Sequence, residues 1–461
     1  MSTFTLNTFF QIILLFCIFI FTIAAFSNSG EARRNASKIN LRGTSKLEAD
    51  FFQDLKRGEL NEWSLADAFF IASGIREQSQ LNRARQWYDR LVDEAKEILK
   101  PYKKADERAD QLLRWLHKRV FRTYKAQATD AFDIIKTGKF NCLSSCIMYG
   151  MIGEKLGLHV RGITVDQHAF CRVYSRPLPK RITSTKSRSG GWDVETTTAL
   201  GFNPGRTVQI DRAVISVPRS RYRNRKEISL LEMVGLIYTN HVGMTRAYPS
   251  HEDRLLAYQK AHLFFPRDQI IKHNILAAHT QVIQGYAKRR RWQGAQAFLE
   301  QLADFDHQDK YLTTLWMQVA EQHLDHASYK GLEVALKELK NYQELAQSVP
   351  KSTWYYLEAQ LYGRAASHLD DRSRSDEADQ YFNKACLIGQ KAQSQRNRGS
   401  LSSRQAIKRL RHNYLVLVKN YIIKVFNQRN LSRAKKLISI ALKTNSSDRD
   451  LRQLKQKIFR N

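Results

Sequence analysis

The rhythm of apolar residues along the chain changes several times, and each change predicts a different kind of element. Phe9 to Ser27 is apolar except for Gln11, Thr22 and Ser27, and carries no charge. At 1.5 Å per residue such a run covers about 28 Å, close to the hydrocarbon thickness of a bilayer. No lysine or arginine precedes it, as a signal peptide would require, so an uncleaved transmembrane helix is expected. Cleavage near Ala24, Ala25 or Ser27 is the alternative. Residues 28–50 are polar and read as a juxtamembrane linker. From 51 to about 138 the spacing is helical: Trp63, Ala66, Phe69 and Phe70 recur on one face, and Gly74 marks that helix's end. Leu81 to Leu99 and Ala109 to Tyr124 repeat the pattern.

The period shifts at Thr137-Gly138-Lys139-Phe140-Asn141-Cys142. A helix is expected from Cys142 to about Leu156, stopping at Gly157. Two strands come next, His159 to Val165 and His168 to Tyr174. The Ser- and Arg-rich stretch Ser175 to Gly190 reads as an exposed hairpin loop, and Gly191 to Thr197 as a third strand. One helix and three strands in so short a span make an α+β unit.

After Ile228 the pattern is helical again, and beyond 250 it stays so. Small residues recur seven apart, as in Ala378 with Ala385 and Ala434 with Ala441; Ala295 with Leu302 is a weaker instance. Ala261 followed by Pro266 has the look of a unit's end. Small residues are needed where paired helices approach closely, and recurrence of that need marks helix-hairpin repeats. This part resembles tetratricopeptide repeats in degenerate form, so residues 246–461 are expected to form an all-α helical-repeat domain. The expected organisation is therefore 1–50 anchor and linker, 51–245 an α+β domain with lead-in helices, and 246–461 the TPR-like array.

The formal charge of +31 over 461 residues changes this picture little. The basic residues are spread over many helices, with one local maximum at Arg219, Arg221, Arg223, Arg225 and Lys226 that suits lipid headgroups or an acidic partner. Nucleic acid is not expected as the primary partner, since no recognisable module accompanies the charge. Five cysteines, Cys17, Cys142, Cys146, Cys171 and Cys386, are too scattered for a disulfide framework or a zinc knuckle. No phosphate loop, nucleotide fingerprint or zinc motif is present, and no cofactor or metal is expected. Arg33, Arg34, Lys38, Arg42 and Lys46 come after the apolar run and would hold that side cytoplasmic, whereas an N-terminal apolar segment usually exports the chain beyond it. The side stays open, with export to the periplasm preferred.

Cys142 opens a predicted helix, where unpaired amides and the positive helix end favour a thiolate. His168, Phe170 and Arg172 share one face of their strand, and Asp193 and Glu195 share one face of theirs. An antiparallel pairing would set a carboxylate against the imidazole, giving a nucleophile, a base and a group to orient the base. The stretches Asn141-Cys142-Leu143-Ser144-Ser145, Gln167-His168-Ala169-Phe170 and Trp192-Asp193-Val194-Glu195-Thr196-Thr197 resemble the core of the transglutaminase-like superfamily, in particular bacterial members coupled to tetratricopeptide repeats. The resemblance implies Cys142 as nucleophile and His168 as its base. By its acid-Thr-Thr register it favours Glu195 as the acid, with Asp193, two residues earlier on the same face, as the rival.

This reading leads to two functions. The first is a cysteine-dependent amide hydrolase or acyltransferase, acting on a peptide or protein that the helical repeats recruit. Here the Cys142 N–H and a second donor, for which Gln167 is a weak candidate, would meet the oxyanion. The second is a catalytically inactive membrane-tethered scaffold whose repeats bind a protein partner. Cys146, Cys171 and Trp192 read as packing residues. Pairing of Cys146 with Cys142 is a minor redox alternative.

Overall fold

The computed structural model describes residues 44–57, 60–177, 190–204, 207–210, 213–216, 225–244, 247–306, 311–395 and 401–460. The apolar run Phe9–Ser27, the linker up to residue 43, loop residues 178–189 and Arg219, Arg221 and Arg223 lie outside them. Among the described residues no helix is long and apolar enough to cross a membrane. The chain is mostly helical with a few small sheets, an arrangement compatible with a helical-repeat array. It divides into two compact units, Met1–Ala278 and His279–Asn461.

The first unit opens with α1 (Lys46–Lys56), which starts inside the stretch read as linker because Ser45 caps it and Leu47 and Glu48 are already buried. Next come α2 (Leu65–Ala72), α3 (Gln78–Leu99) and α4 (Ala105–Arg119). Ser64 and Asp67 form a capping box at the start of α2, and Gly74 lies just past its end at φ +99. Helix α4 stops at Arg119, short of the predicted Tyr124. Val120 and Phe121 turn inward, with the Phe121 ring 4.8 Å from that of Phe140, and Thr123–Tyr124 becomes strand β1. It pairs in parallel with β2 (Lys139–Phe140) across a short helix, α5 (Ala131–Thr137), that periodicity did not reveal.

Helix α6 (Cys142–Lys155) is the centre of this unit. Every residue from Leu143 to Gly153 is buried, as expected of a helix apolar on all sides. Beside it lies a four-stranded antiparallel sheet, ordered β5 (Trp192–Val194), β4 (His168–Tyr174), β3 (His159–Val165), β8 (Lys226–Ile228). Val165 faces His168 across a two-residue turn, with Gln167 left-handed at φ 60. Strand β5 is shorter than predicted: Glu195, Thr196 and Thr197 leave the ladder in a tight turn closed by Glu195 N donating to Gly201 O at 2.8 Å. A separate hairpin, β6 (Thr207–Ile210) and β7 (Ala213–Ser216), had no counterpart among the elements predicted from the sequence.

Two more helices follow in this unit, α7 (Leu230–Met244) and α8 (His251–Phe264). The sequence pattern places α8 among the repeats, but it packs with the first unit. Its Lys260 donates to Glu48 Oε1 at 2.9 Å, Tyr238 donates to the same oxygen at 3.1 Å, and Arg76 lies 3.5 Å from Glu48 Oε2. A buried carboxylate needs such partners, and here they join α1 to α7 and α8. Phe51, Phe52, Tyr238 and Phe264 pack around the cluster.

The division between units falls inside α9 (Gln269–Lys288). The second unit continues with α10 (Trp292–Phe305), α11 (Leu312–Ser328), α12 (Leu332–Leu345), α13 (Lys351–Asp371), α14 (Ser375–Ser394), α15 (Leu401–Asn427), α16 (Leu431–Thr444) and α17 (Arg449–Arg460). A connection of one length recurs four times. Loops of three residues precede α10, α12, α14 and α16, and carry Arg290, Gly331, Ser373 and Arg429 at positive φ. In each case the fourth residue of the next helix is a buried alanine: Ala295, Ala335, Ala378 or Ala434. Seven positions on stand Leu302, Tyr342, Ala385 and Ala441, all buried. Gly389 makes room for Tyr414, since a Cβ there would lie 2.4 Å from the phenol carbon.

Candidate active site

The site begins at the tip of α6. Asn141 is the N-cap: its Oδ1 accepts from Leu143 N at 3.0 Å and Ser144 N at 2.9 Å, and Ser144 Oγ accepts from Asn141 N at 3.0 Å. The cap itself is pinned from behind. Asn141 Nδ2 donates to Ala126 O at 2.9 Å and Ser144 Oγ donates to Ala128 O at 2.8 Å. Cys142 is therefore fixed as the first residue of the helix. It is half-exposed, whereas Cys146, Cys171 and Cys386 are buried.

The His168 ring sits between Cys142 and Glu195. Its Nε2 lies 2.6 Å from Glu195 Oε2, and the ring also interacts with the Cys142 side chain. Burial pulls the His168 pKa down, but the bonds to Cys142 and Glu195 and their charges prevail and carry it up to about 10. The ring is thus an imidazolium at neutral pH. Phe170 stacks near it, with centroids 6.3 Å apart, and the Arg225 guanidinium lies 5.0 Å from the Phe170 centroid.

The three residues after β5 divide the work of holding this arrangement. Glu195 is buried, and its second oxygen accepts from Thr197 Oγ1 at 2.7 Å and Thr197 N at 3.2 Å. Thr196 turns the other way: its Oγ1 lies 2.8 Å from Ser145 Oγ and 3.1 Å from Cys146 Sγ, both on α6. Its carbonyl accepts from His117 Nε2 at 3.1 Å, on α4. Burial keeps the His117 pKa low, so this imidazole serves as a neutral donor.

Asp193 is not the partner of His168. It faces Arg172 across the ladder and takes Arg172 Nη1 at 2.9 Å and Arg225 Nη2 at 2.7 Å. The side-chain alternation put both acids on one face, but the turn after Val194 carries Glu195 off the ladder and toward the imidazole. Arg225 is accordingly engaged within the fold, and Lys226 lies 4.0 Å from Asp268. Cys146 and Cys171 are free thiols in the core, with Cys171 donating to Cys146 O at 3.3 Å. Burial holds the Cys146 thiol well above its ordinary pKa. Gln167 is exposed in the turn before the histidine, and Trp192 packs near Phe202. Among the described residues no group of three or more His, Cys, Asp or Glu is placed to hold a metal ion.

Sequence reasoning missed Tyr124, whose side chain interacts with Cys142. The missed signal was the parallel pairing of β1 with β2, which sets Tyr124 opposite Phe140, two residues before the cysteine. Comparison with protein-family models, with curated proteins and with solved structures returns no match for this chain.

Proposed function

We propose that this chain is a cysteine-dependent amide hydrolase or acyltransferase with a transglutaminase-like core, acting on a peptide or protein recruited by TPR-like repeats. In this reading the apolar run Phe9–Ser27 tethers it to a membrane. The observation that carries the proposal is the line Cys142, His168, Glu195, in which one imidazole contacts both a half-exposed thiol and a buried, anchored carboxylate. Buried structural cysteines need no such partners, and nucleophilic ones do.

The imidazolium favours a thiolate beside it, at the positive end of α6. The sulfur attacks the substrate carbonyl carbon, and the carbonyl π electrons move to oxygen. Collapse of that intermediate breaks the C–N bond, and the leaving amine takes the proton from His168. A thioester on Cys142 results. Neutral His168 then accepts a proton from water, whose oxygen attacks the thioester carbon. The acid departs and the thiolate–imidazolium pair is restored. An amine in place of water gives acyl transfer by the same steps. Hydrolysis is the default, because transfer requires water to lose to the amine. Glu195 fixes the ring and offsets its positive charge throughout.

The test uses p-nitrophenyl acetate as acyl donor, with release of nitrophenol and the mass of the protein as readouts. Acetylation confined to Cys142, lost in Cys142→Ala and strongly slowed in His168→Asn, is the expected result. A wild-type protein that acquires no acetyl group at Cys142 would leave the scaffold reading in its place.

A further inference from the structure

We infer that the Tyr124 phenol is an oxyanion donor, acting with the Cys142 backbone N–H on the carbonyl oxygen of the substrate. The inference rests on the proposed thiol chemistry and adds a group to it. An oxyanion formed on sulfur attack needs two donors aimed at one point beside the thiol. The first is at the helix tip. Asn141 takes the Leu143 and Ser144 amides, and among the described residues no acceptor takes the Cys142 N–H. That amide is one of the unpaired N–H groups of the first turn and is left to donate to a ligand, reinforced by the helix dipole.

The second donor must come from another segment, and Tyr124 is the one that reaches the sulfur. Its phenol lies close enough to the Cys142 thiol to interact with it. The backbone that carries it is stitched to the start of α6. Arg122 N donates to Gly138 O at 2.8 Å, Lys125 N to Phe140 O at 2.8 Å, and Asn141 Nδ2 returns a bond to Ala126 O at 2.9 Å. The Tyr124 ring is further fixed edge-on to Phe140, with centroids 6.0 Å apart. A phenol beside the thiol is also near an oxygen on the carbon that the sulfur bonds. Burial, with the charge of Cys142 and Glu195, pushes the Tyr124 pKa up to about 12. The phenol therefore keeps its proton to donate at any physiological pH. Gln167, exposed in the turn before the histidine, is the weaker choice.

Two electrophiles separate this role from simple placement of the thiol. Attack on p-nitrophenyl acetate generates an oxyanion, while displacement of iodide from iodoacetamide generates none at the reacting carbon. In Tyr124→Phe, which retains the ring and its packing on Phe140, acetylation of Cys142 is expected to fall about 100-fold while alkylation changes by less than about twofold. Unchanged alkylation also reports an intact site. Equal loss in both reactions would reduce Tyr124 to a residue that positions or activates the sulfur, and equal retention would remove it from the chemistry. Both results overturn the inference and leave the thiol mechanism standing. Wild-type protein that is never acetylated at Cys142 would overturn the mechanism itself.

Discussion

Glu195 meets His168 at 2.6 Å with one carboxylate oxygen and holds Thr197 with the other. A carboxylate divided in this way cannot rotate without losing one of two partners. It therefore fixes the plane of the imidazole as well as its charge. Replacing Glu195 with Gln puts an N–H₂ group or a neutral oxygen against His168. Acetylation of Cys142 is expected to drop by about 10²- to 10⁴-fold with the fold retained. Asp193→Asn is expected to leave that rate within a few fold, because its carboxylate serves Arg172 and Arg225. Stopped-flow release of nitrophenol from both variants checks the contrast, and the reverse ranking would exchange the roles of the two acids.

The pH dependence has a definite sign. His168 binds its proton more tightly folded, near pKa 10, than in an unfolded chain, near 6.5. Its contribution to stability is complete below about 6.5, shrinks as pH rises, and is gone above about 10. The difference in urea midpoint between wild type and His168→Asn should narrow over that window. The imidazole Cε1–H resonance of His168 should titrate near 10, and a midpoint near 6.5 would show that the ring is not held as an imidazolium.

Gly201 tests the turn that delivers the acid. A Cβ at this position would lie 1.9 Å from Glu195 O, so the backbone of the turn must move. Gly201→Ala is expected to cost about 1–3 kcal/mol of stability, as overpacking does. The shift falls on the residue that orients His168, so acetylation should also slow by at least about tenfold at temperatures where the variant is folded. Thermal melts and nitrophenol release on the same preparation separate the two effects.

In the helical unit, Arg433 is the residue whose removal should matter most. It donates to Asp370 Oδ1 at 2.6 Å, to Asp379 at 2.9 Å and to Tyr421 Oη at 2.6 Å. Burial raises the Asp370 pKa, but Arg433 outweighs it and holds the carboxyl below its ordinary range. Arg433→Ala leaves the buried Asp370 with Lys424, at 3.6 Å, as its nearest cation beside the neutral donors Gln428 and Ser375, and should lower stability by about 3 kcal/mol. The exposed pair of Arg374 with Glu377 should be removable without measurable loss. Urea denaturation of the two variants makes the comparison.

Much of this arrangement was legible in the residue pattern because the signals were local. A helix was read from Cys142, and it starts there, with Asn141 as its cap. Alternation in His168 to Tyr174 announced a strand, and it forms as read. The choice between Asp193 and Glu195 was not legible, because strand periodicity assumes that the ladder continues. It ends at Val194, where Thr196 finds partners on α6. Tyr124 was lost for a similar reason: a helical period ran into Val120 and Phe121, whose burial ends the helix. The recurrence of the buried alanines was hidden by uneven spacing. Ala295 to Ala335 is 40 positions, Ala335 to Ala378 is 43, and Ala378 to Ala434 is 56, because the helices between them differ in length. The constant element is the three-residue loop and the alanine at the fourth position of the helix, a motif too short to stand out without coordinates.

Thr196 joins Ser145 and Cys146 on the nucleophile's helix to the turn that carries the acid, with His117 gripping its carbonyl. Because its two chain neighbours are Glu195 and Thr197, any drift at that hydroxyl contact moves the orienting carboxylate as well. The hydroxyls at positions 145 and 196 thus act as one joint: removing either loosens the turn that holds the acid, without touching the acid itself.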